Sequence, residues 1–384
     1  MTETRACAGE AQRIVVKVGS STLTREGQIR TAAFANLARQ ISALMDAGRE
    51  VVLVSSGAIA MGATRLGWNH PGHTIPEKQA AAAVGQIGLV DLYRRRFSAR
   101  GREVAQLLLT RGGLENRERF LNARHTLQQL LALGVVPIVN ENDTVATDEI
   151  RFGDNDNLSA NIVNLVGAQL LVILTDVEGL FERPPEAGKP KPALIDIVER
   201  LTPDIEASAR GAASAFGRGG MLTKLEAARS AARSGAATVV CHGDRRNALL
   251  RAAAGDPVGT LFLPDAPGER MASRKHWLAF TTRARGALVI DAGAARALLE
   301  GGRSLLPAGV IEVQGEFGIG DTVSCVDTNG REIARGLAAY PSGATAAIQG
   351  VATQEIERVL GYSNGGAVIH RDDLVVLDPS PPDP

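Results

Sequence analysis

Four short segments of this 384-residue chain carry residue types whose spacing could handle anions. The first is Lys17-Val18-Gly19-Ser20-Ser21, a lysine beside a glycine and two hydroxyls at the end of an apolar run. Glycine lets the backbone approach a ligand closely, nearby N–H groups can cradle phosphate oxygens, and lysine adds a compact point charge. The same residues also suit an ordinary strand-to-helix turn with a snorkelling lysine. The second, Ser55-Ser56-Gly57-Ala58, places small hydroxyls and a glycine where a helix starts: an anion site or a plain N-cap. The third runs from Asn140-Glu141-Asn142-Asp143 to Gly153-Asp154-Asn155-Asp156-Asn157. Between 140 and 157 it holds six carboxylates and one basic residue, Arg151. Carboxylates suit an ammonium group, asparagines donate to a carboxylate, and the two capacities together describe an amino-acid site. A calcium loop would need a glycine and a closing glutamate that Asp154-Asn155-Asp156-Asn157-Leu158-Ser159 lacks. A merely solvated acidic loop fits poorly between an apolar strand and a helix. The fourth segment pairs Leu174-Thr175-Asp176 with the run Gly217 to Lys224, GRGGMLTK. It is not a Walker A loop. Glycines opening a helix with Thr and Lys in its first turn can still cradle polyphosphate through N–H groups and the helix dipole.

Other candidates carry less. His70 and His73 (HPGH) have no third metal ligand nearby and read as a Pro/Gly surface loop. Cys241 follows an apolar run and reads as a core thiol. Gly315-Glu316-Phe317-Gly318-Ile319-Gly320 is assigned to a hairpin turn and not to a nucleotide fingerprint. Lysine is scarce: Lys17, Lys78, Lys189, Lys191, Lys224 and Lys275 are six of 42 basic residues. Two of those six fall inside the glycine-rich junctions, where a compact ammonium fits and a guanidinium fork does not.

Such loops need a scaffold that gathers them. Apolar runs at Ile14–Val18, Val51–Val54, Val104–Leu109, Val135–Val139, Leu170–Leu174 and Thr238–Cys241 are rich in Val, Ile and Leu and do not alternate, as in strands buried on both faces of a parallel sheet. Helical patterns lie between them, near 32–47, 77–99, 117–133, 158–167, 221–234 and 246–253. The alternation implies an α/β, doubly wound, mainly parallel sheet whose ligands sit at the carboxyl ends of the strands. The expected organisation is a disordered 1–12, a catalytic domain over 13–263, a Pro/Gly-rich linker over 264–283, a smaller mainly β domain over 284–377 and a disordered 378–384. Asp327-Thr328-Asn329-Gly330 signals a hairpin between Thr322–Val326 and Glu332–Leu337.

Lys+Arg and Asp+Glu balance at 42 each, which gives no bulk attraction to nucleic acid or anionic lipid. Three scattered cysteines argue against a disulfide framework. The sequence shows no apolar run of membrane-spanning length. A cytoplasmic location is expected.

The motifs KVGSS, VSSGAIAMG, LLTR…RERFLNAR, PIVNENDTVAT, GDNDNLSA, LTDVEGL and GGMLTK occur in an order that resembles the glutamate 5-kinase family of the amino-acid kinase superfamily. The resemblance covers essentially the chain after residue 12. From about 284, SLLPAGV and LGY…AVIHRDDL resemble a PUA-type domain. It implies ATP-dependent phosphorylation of the glutamate side-chain carboxylate to glutamyl 5-phosphate, the first step of proline synthesis, with Mg2+ carried by ATP, feedback inhibition by proline and a dimer or tetramer. By the same resemblance Lys17 and Lys224 contact phosphates and Asp156 organises them. Ser56, Gly57, Asn140, Asp143 and Asn155 hold glutamate. Lys17, Gly19, Thr175, Asp176, Arg218, Gly219, Gly220, Met221, Leu222, Thr223 and Lys224 hold ATP. Arg218 stands where the family often has a small Ser or Thr, so its effect on the nucleotide loop is open.

The rivals are kinases of aspartate, carbamate or nucleoside monophosphates, and an RNA-binding role for the tail. Residues 283–373 hold eight basic and eleven acidic side chains with no lysine, which lacks the positive footprint RNA needs.

Overall fold

The computed structural model describes residues 5–25, 28–145, 155–186, 188–209, 220–265 and 283–377, and the chain divides into two units, residues 1–271 and 272–384. In the first unit the strands are β1 (Arg13–Val18), β2 (Thr24–Arg25), β3 (Gln28–Ile29), β4 (Glu50–Ser55), β5 (Val104–Leu109), β6 (Val136–Glu141), β7 (Leu170–Thr175), β8 (Ile197–Val198), β9 (Ala237–His242) and β10 (Thr260–Phe262). β2 and β3 form a small ribbon; the others make one sheet in the order β5-β6-β4-β1-β7-β9-β10-β8. From β5 to β9 every pairing is parallel, and β10 alone runs against β9. The ends of β4, β6, β1, β7 and β9 therefore open on one edge.

The helices are α1 (Ala6–Gly9), α2 (Ser20–Leu23), α3 (Thr31–Asp46), α4 (Ala58–Arg65), α5 (Ile75–Ser98), α6 (Arg111–Glu115), α7 (Arg117–Ala132), α8 (Asn155–Val166), α9 (Pro203–Ala209), α10 (Met221–Arg233) and α11 (Ala248–Ala253). Side chains alternate along a strand, so β1 divides its residues between the two faces. Ile14, Val16 and Val18 join the core with Phe34 and Ile41 of α3 and Leu89, Tyr93 and Phe97 of α5. Val15 and Lys17 face the other way, toward α8. A lysine in the middle of a buried strand thus reaches a helix start on the opposite layer.

Several boundaries differ from the sequence reading, each for a physical reason. Residues 5–12 were expected to be disordered, yet they carry α1. Arg5 is buried there and donates to Asp256 O (3.0 Å), Asp196 O (3.0 Å) and Asp196 Oδ1 (2.6 Å). β5 is an edge strand whose exposure alternates, as it does where one face of a strand is less covered than the other. β6 runs on to Glu141, so Asn140 is a buried strand residue and not part of a loop. α8 begins at Asn155, three residues before the expected start, because Asn and Asp favour the first turn over the interior. The short α4 and α9 and strands β8 and β10 left no legible period. α5 starts at a capping box in which Thr74 Oγ1 accepts from Glu77 N (3.3 Å) and Glu77 accepts from Thr74 N (3.0 Å).

The second unit is built on β11 (Gly286–Ile290), β12 (Val310–Gly315), β13 (Thr322–Val326), β14 (Glu332–Leu337) and β15 (Leu374–Val376), ordered β12-β11-β13-β14-β15. Helices α12 (Ala292–Gly301), α13 (Ser342–Ile348) and α14 (Ile356–Leu360) accompany it. The β13–β14 hairpin forms as the sequence indicates, with Gly330 at φ 81° and Asp327 Oδ1 accepting from Asn329 N and Arg331 N, both at 2.9 Å. Gly315–Gly320 is a turn but not a hairpin turn: β12 and β13 do not pair, because β11 lies between them. The expected linker centre, residues 266–282, and the tail, 378–384, lie outside the described residues.

Candidate active site

One strand and two helix starts supply a buried charged trio. Lys17 arrives from β1, Asp156 from the first turn of α8, and Lys224 from the first turn of α10. Lys17 Nζ lies 2.6 Å from Asp156 Oδ1 and Lys224 Nζ 3.2 Å from Oδ2. Thr223 Oγ1 stands 2.8 Å from the same Oδ2. All three charged side chains are buried, Asp156 to 1% exposure. Burial pushes the Asp156 carboxyl up, but the Lys17 and Lys224 ammonium groups and the bonds from Lys17 and Thr223 outweigh it and hold the carboxyl at about 2. For Lys224 burial dominates and lowers its pKa, with Asp156 opposing. Two ammonium groups thus face the one Asp156 carboxylate out of water, and Asp176 adds a weaker attraction on Lys224.

Gly19 lies beside this trio: a Cβ there would sit in ordinary contact with Lys17 Nζ, at 3.7 Å. The Gly19 N–H, expected to serve phosphate, instead donates to Leu174 O at 3.1 Å and ties β1 to β7. Gly220 caps α10 without a side-chain cap bond among the described residues. Met221 is buried and Leu222 half-exposed. Arg218 and Gly219 lie outside the described residues. Thr175 Oγ1 donates to Asp176 Oδ1 at 3.0 Å, and Thr22, Arg30, His242 and Asp244 complete a cleft of about 180 Å³ with this pair. Arg30 closes one side of it by an ion pair to Asp244 (2.8 Å) and a bond to Thr22 O (3.0 Å).

A second cluster, without net charge, lies at the ends of β4 and β6. Asn155 Nδ2 reaches Ser55 O (3.0 Å), Ser56 Oγ (2.9 Å) and Asn140 Oδ1 (3.1 Å). Asn140 Nδ2 donates to Gln86 Oε1 of α5 at 2.9 Å. Ser55 is fully buried, with its hydroxyl 2.9 Å from the Tyr93 hydroxyl, also on α5. Gly57 at φ 106° makes the turn into α4 that only glycine adopts without strain. Asp143 sits two residues past β6, half-buried, at the rim of this cluster.

The structure thus brings Lys17, Asp156, Lys224 and Thr223 together, and separately Ser56, Asn140 and Asn155. Gln86, Tyr93, Arg30 and Asp244 are the residues that sequence reasoning missed. Gln86 and Tyr93 sit seven apart on one helix, a spacing that reads as packing, so nothing local marked them.

The amino acid kinase family matches residues 12–242 and the PUA domain residues 286–360. The chain is 52% identical over 374 residues to the glutamate 5-kinase of Ralstonia nicotianae, covering 97% of this chain and 99% of that protein. It is likewise 52% identical over 374 residues to the glutamate 5-kinase of Burkholderia mallei, covering 97% of this chain and all of that one. The chain belongs to the glutamate 5-kinase family. Every residue of the charged trio and the amide cluster falls inside the stretch matched to the amino acid kinase family. β10, which alone runs against its neighbour β9, lies beyond it.

Proposed function

We propose that this chain transfers the γ-phosphoryl group of ATP to the side-chain carboxylate of L-glutamate, giving L-glutamyl 5-phosphate in the first step of proline synthesis. The observation that carries this reading is the buried trio of two lysines on one aspartate at the helix starts and strand end of the site. The transferring phosphoryl group is the anion that those two lysines answer. A carboxylate nucleophile is already ionised at neutral pH, so no general base is required. Positioning and charge stabilisation in a loose transition state suffice. Lys17 and Lys224 supply the stabilisation, and Asp156 keeps the two ammonium groups from driving each other apart.

The Asp156 carboxylate already faces both lysines and Thr223. Mg2+ is assigned to the triphosphate, where it neutralises phosphate oxygens when bound. The first turn of α10 and the cleft at Thr175 and Asp176 are assigned to the nucleotide, with Gly219, Gly220 and Thr223 at its phosphates. On the neutral side, Ser56 Oγ accepts from Asn155, so its own proton is free to donate to a carboxylate. Asn155 spends its donors on the protein and offers its oxygen to an ammonium group, as does Asp143.

The purified protein with Mg-ATP and hydroxylamine tests this reading. Glutamate-dependent hydroxamate, with little from L-aspartate, is the expected outcome; hydroxamate from aspartate alone, or none, would transfer the chain to another acid kinase class. Feedback by proline, a dimer or tetramer, and a cytoplasmic location are further parts of the reading that rest on family resemblance. Adding L-proline to the same assay tests the first.

A further inference from the structure

The amide network beneath Ser56 can run in only one direction. Asn155 Nδ2 donates to a backbone carbonyl, Ser55 O, which fixes the orientation of that amide. Asn140 Oδ1 accepts from Asn155 Nδ2 (3.1 Å) and from the Glu141 N–H (2.9 Å), and two donors on one oxygen fix Asn140 as well. Its Nδ2 then points away and requires an acceptor, which Gln86 Oε1 supplies at 2.9 Å. That bond fixes Gln86 in turn, with its Nε2 buried and without a hydrogen-bond partner among the described residues. A buried amide donor left unmet is unfavourable, and a glutamine free to choose would turn it toward an acceptor. This one is held by the demand for its oxygen.

The backbone gives it no slack. A Cβ on Gly85 would lie 1.9 Å from Ala58 O, and one on Gly62 1.7 Å from Ala81 O, so α4 and α5 touch main chain to main chain beside Gln86. We propose that Gln86 is a positioning residue for the amino-acid substrate. It supplies the acceptor that Asn140 Nδ2 requires, and so helps to keep Asn140 Oδ1 on Asn155 Nδ2, beside the Ser56 hydroxyl whose proton faces the substrate carboxylate. Gln86 does not touch the reacting atoms. The proposal rests on the glutamate reading given above.

Full-length Gln86→Met and Gln86→Glu separate positioning from packing. Methionine keeps the volume and removes the acceptor; glutamate keeps an oxygen toward Asn140. Gln86→Met should raise the KM for glutamate about tenfold or more, the effect of losing control of one bond to a charged group. Its kcat and its KM for ATP should stay within about twofold, and Gln86→Glu should restore the glutamate KM to within about threefold. An unchanged glutamate KM in Gln86→Met overturns the proposal, as does an equal rise for glutamate and ATP in both variants. Should the methionine variant not fold, a tenfold rise in Gln86→Glu overturns it alone. The unsubstituted enzyme runs beside them: if it makes no glutamate-dependent product, the functional reading itself fails and this one with it.

Discussion

The two halves of the site hold their groups by different physics. On the lysine side, position follows charge: two ammonium groups and one carboxylate attract in a low-dielectric interior, and the geometry survives because Asp156 cannot leave. On the amide side, no charge holds Ser56, Asn140, Asn155 and Gln86. Their placement follows from which atom donates and which accepts. Charge tolerates small displacements and tells one anion from another poorly. Directed hydrogen bonds tolerate little and discriminate well. The contrast suits a reaction in which one partner is always phosphate and the other must be one particular amino acid.

The sharpest way to break the comparison is at its charged centre. Asp156→Asn removes the carboxylate that both buried ammonium groups face, and a loss of about 3–5 kcal/mol in denaturant unfolding is expected. The same residue gives a pH test. Its carboxyl is at about 2 in the folded chain against an ordinary 3.8, so its stabilising contribution is present above pH 3.8 and is lost as pH falls toward 2. That contribution is about 2 kcal/mol, and Asp156→Asn should show no matching loss over this acid window. Equal acid sensitivity in both proteins would refute the trio's electrostatic role.

Next in size are Lys17→Met and Lys224→Met, each expected to lower kcat at least ~100-fold, the scale of removing one transition-state donor. Glutamate KM should move by less than about threefold, since neither lysine belongs to the amide network. Near-normal turnover in both would remove these assignments. The smallest effect is expected on the other side. Ser56→Ala should raise glutamate KM about tenfold while kcat stays within about threefold, because a bond made in the ground state persists into the transition state. A large fall in kcat instead would show that both halves act on the same step, and the contrast between them would collapse.

Much of this was legible in the residues. Strands β1, β4, β7 and β9 announced themselves because a strand covered on both faces has no reason to alternate. Lys17 and Lys224 stood out as scarce lysines in glycine-rich junctions, whereas Asp156 was one of six carboxylates and was marked only by the family resemblance. Their meeting did not follow from spacing, since it needs β1 to present Lys17 to the α8 layer. Gln86 and Tyr93 were invisible for the opposite reason. They lie in a helix whose polar residues look like surface, and their partners are 54 and 38 positions away. Residues 5–12 misled as well, because short polar termini usually fray, and Arg5 is instead held by backbone oxygens near β8 and β10.

Asn155 and Asp156 are consecutive residues in the first turn of α8, one serving the amide network and the other the lysines. A single peptide link, about 3.8 Å between Cα atoms, is the gauge between the proposed acceptor and donor subsites. Any tilt of that helix carries both along together, so the spacing is immune to motions that would misalign two independent loops. The same link divides the evolutionary options. A lineage could alter residue 155 to accept a different acid while leaving 156 and the phosphoryl chemistry intact, but no insertion between them would keep the pair in gauge.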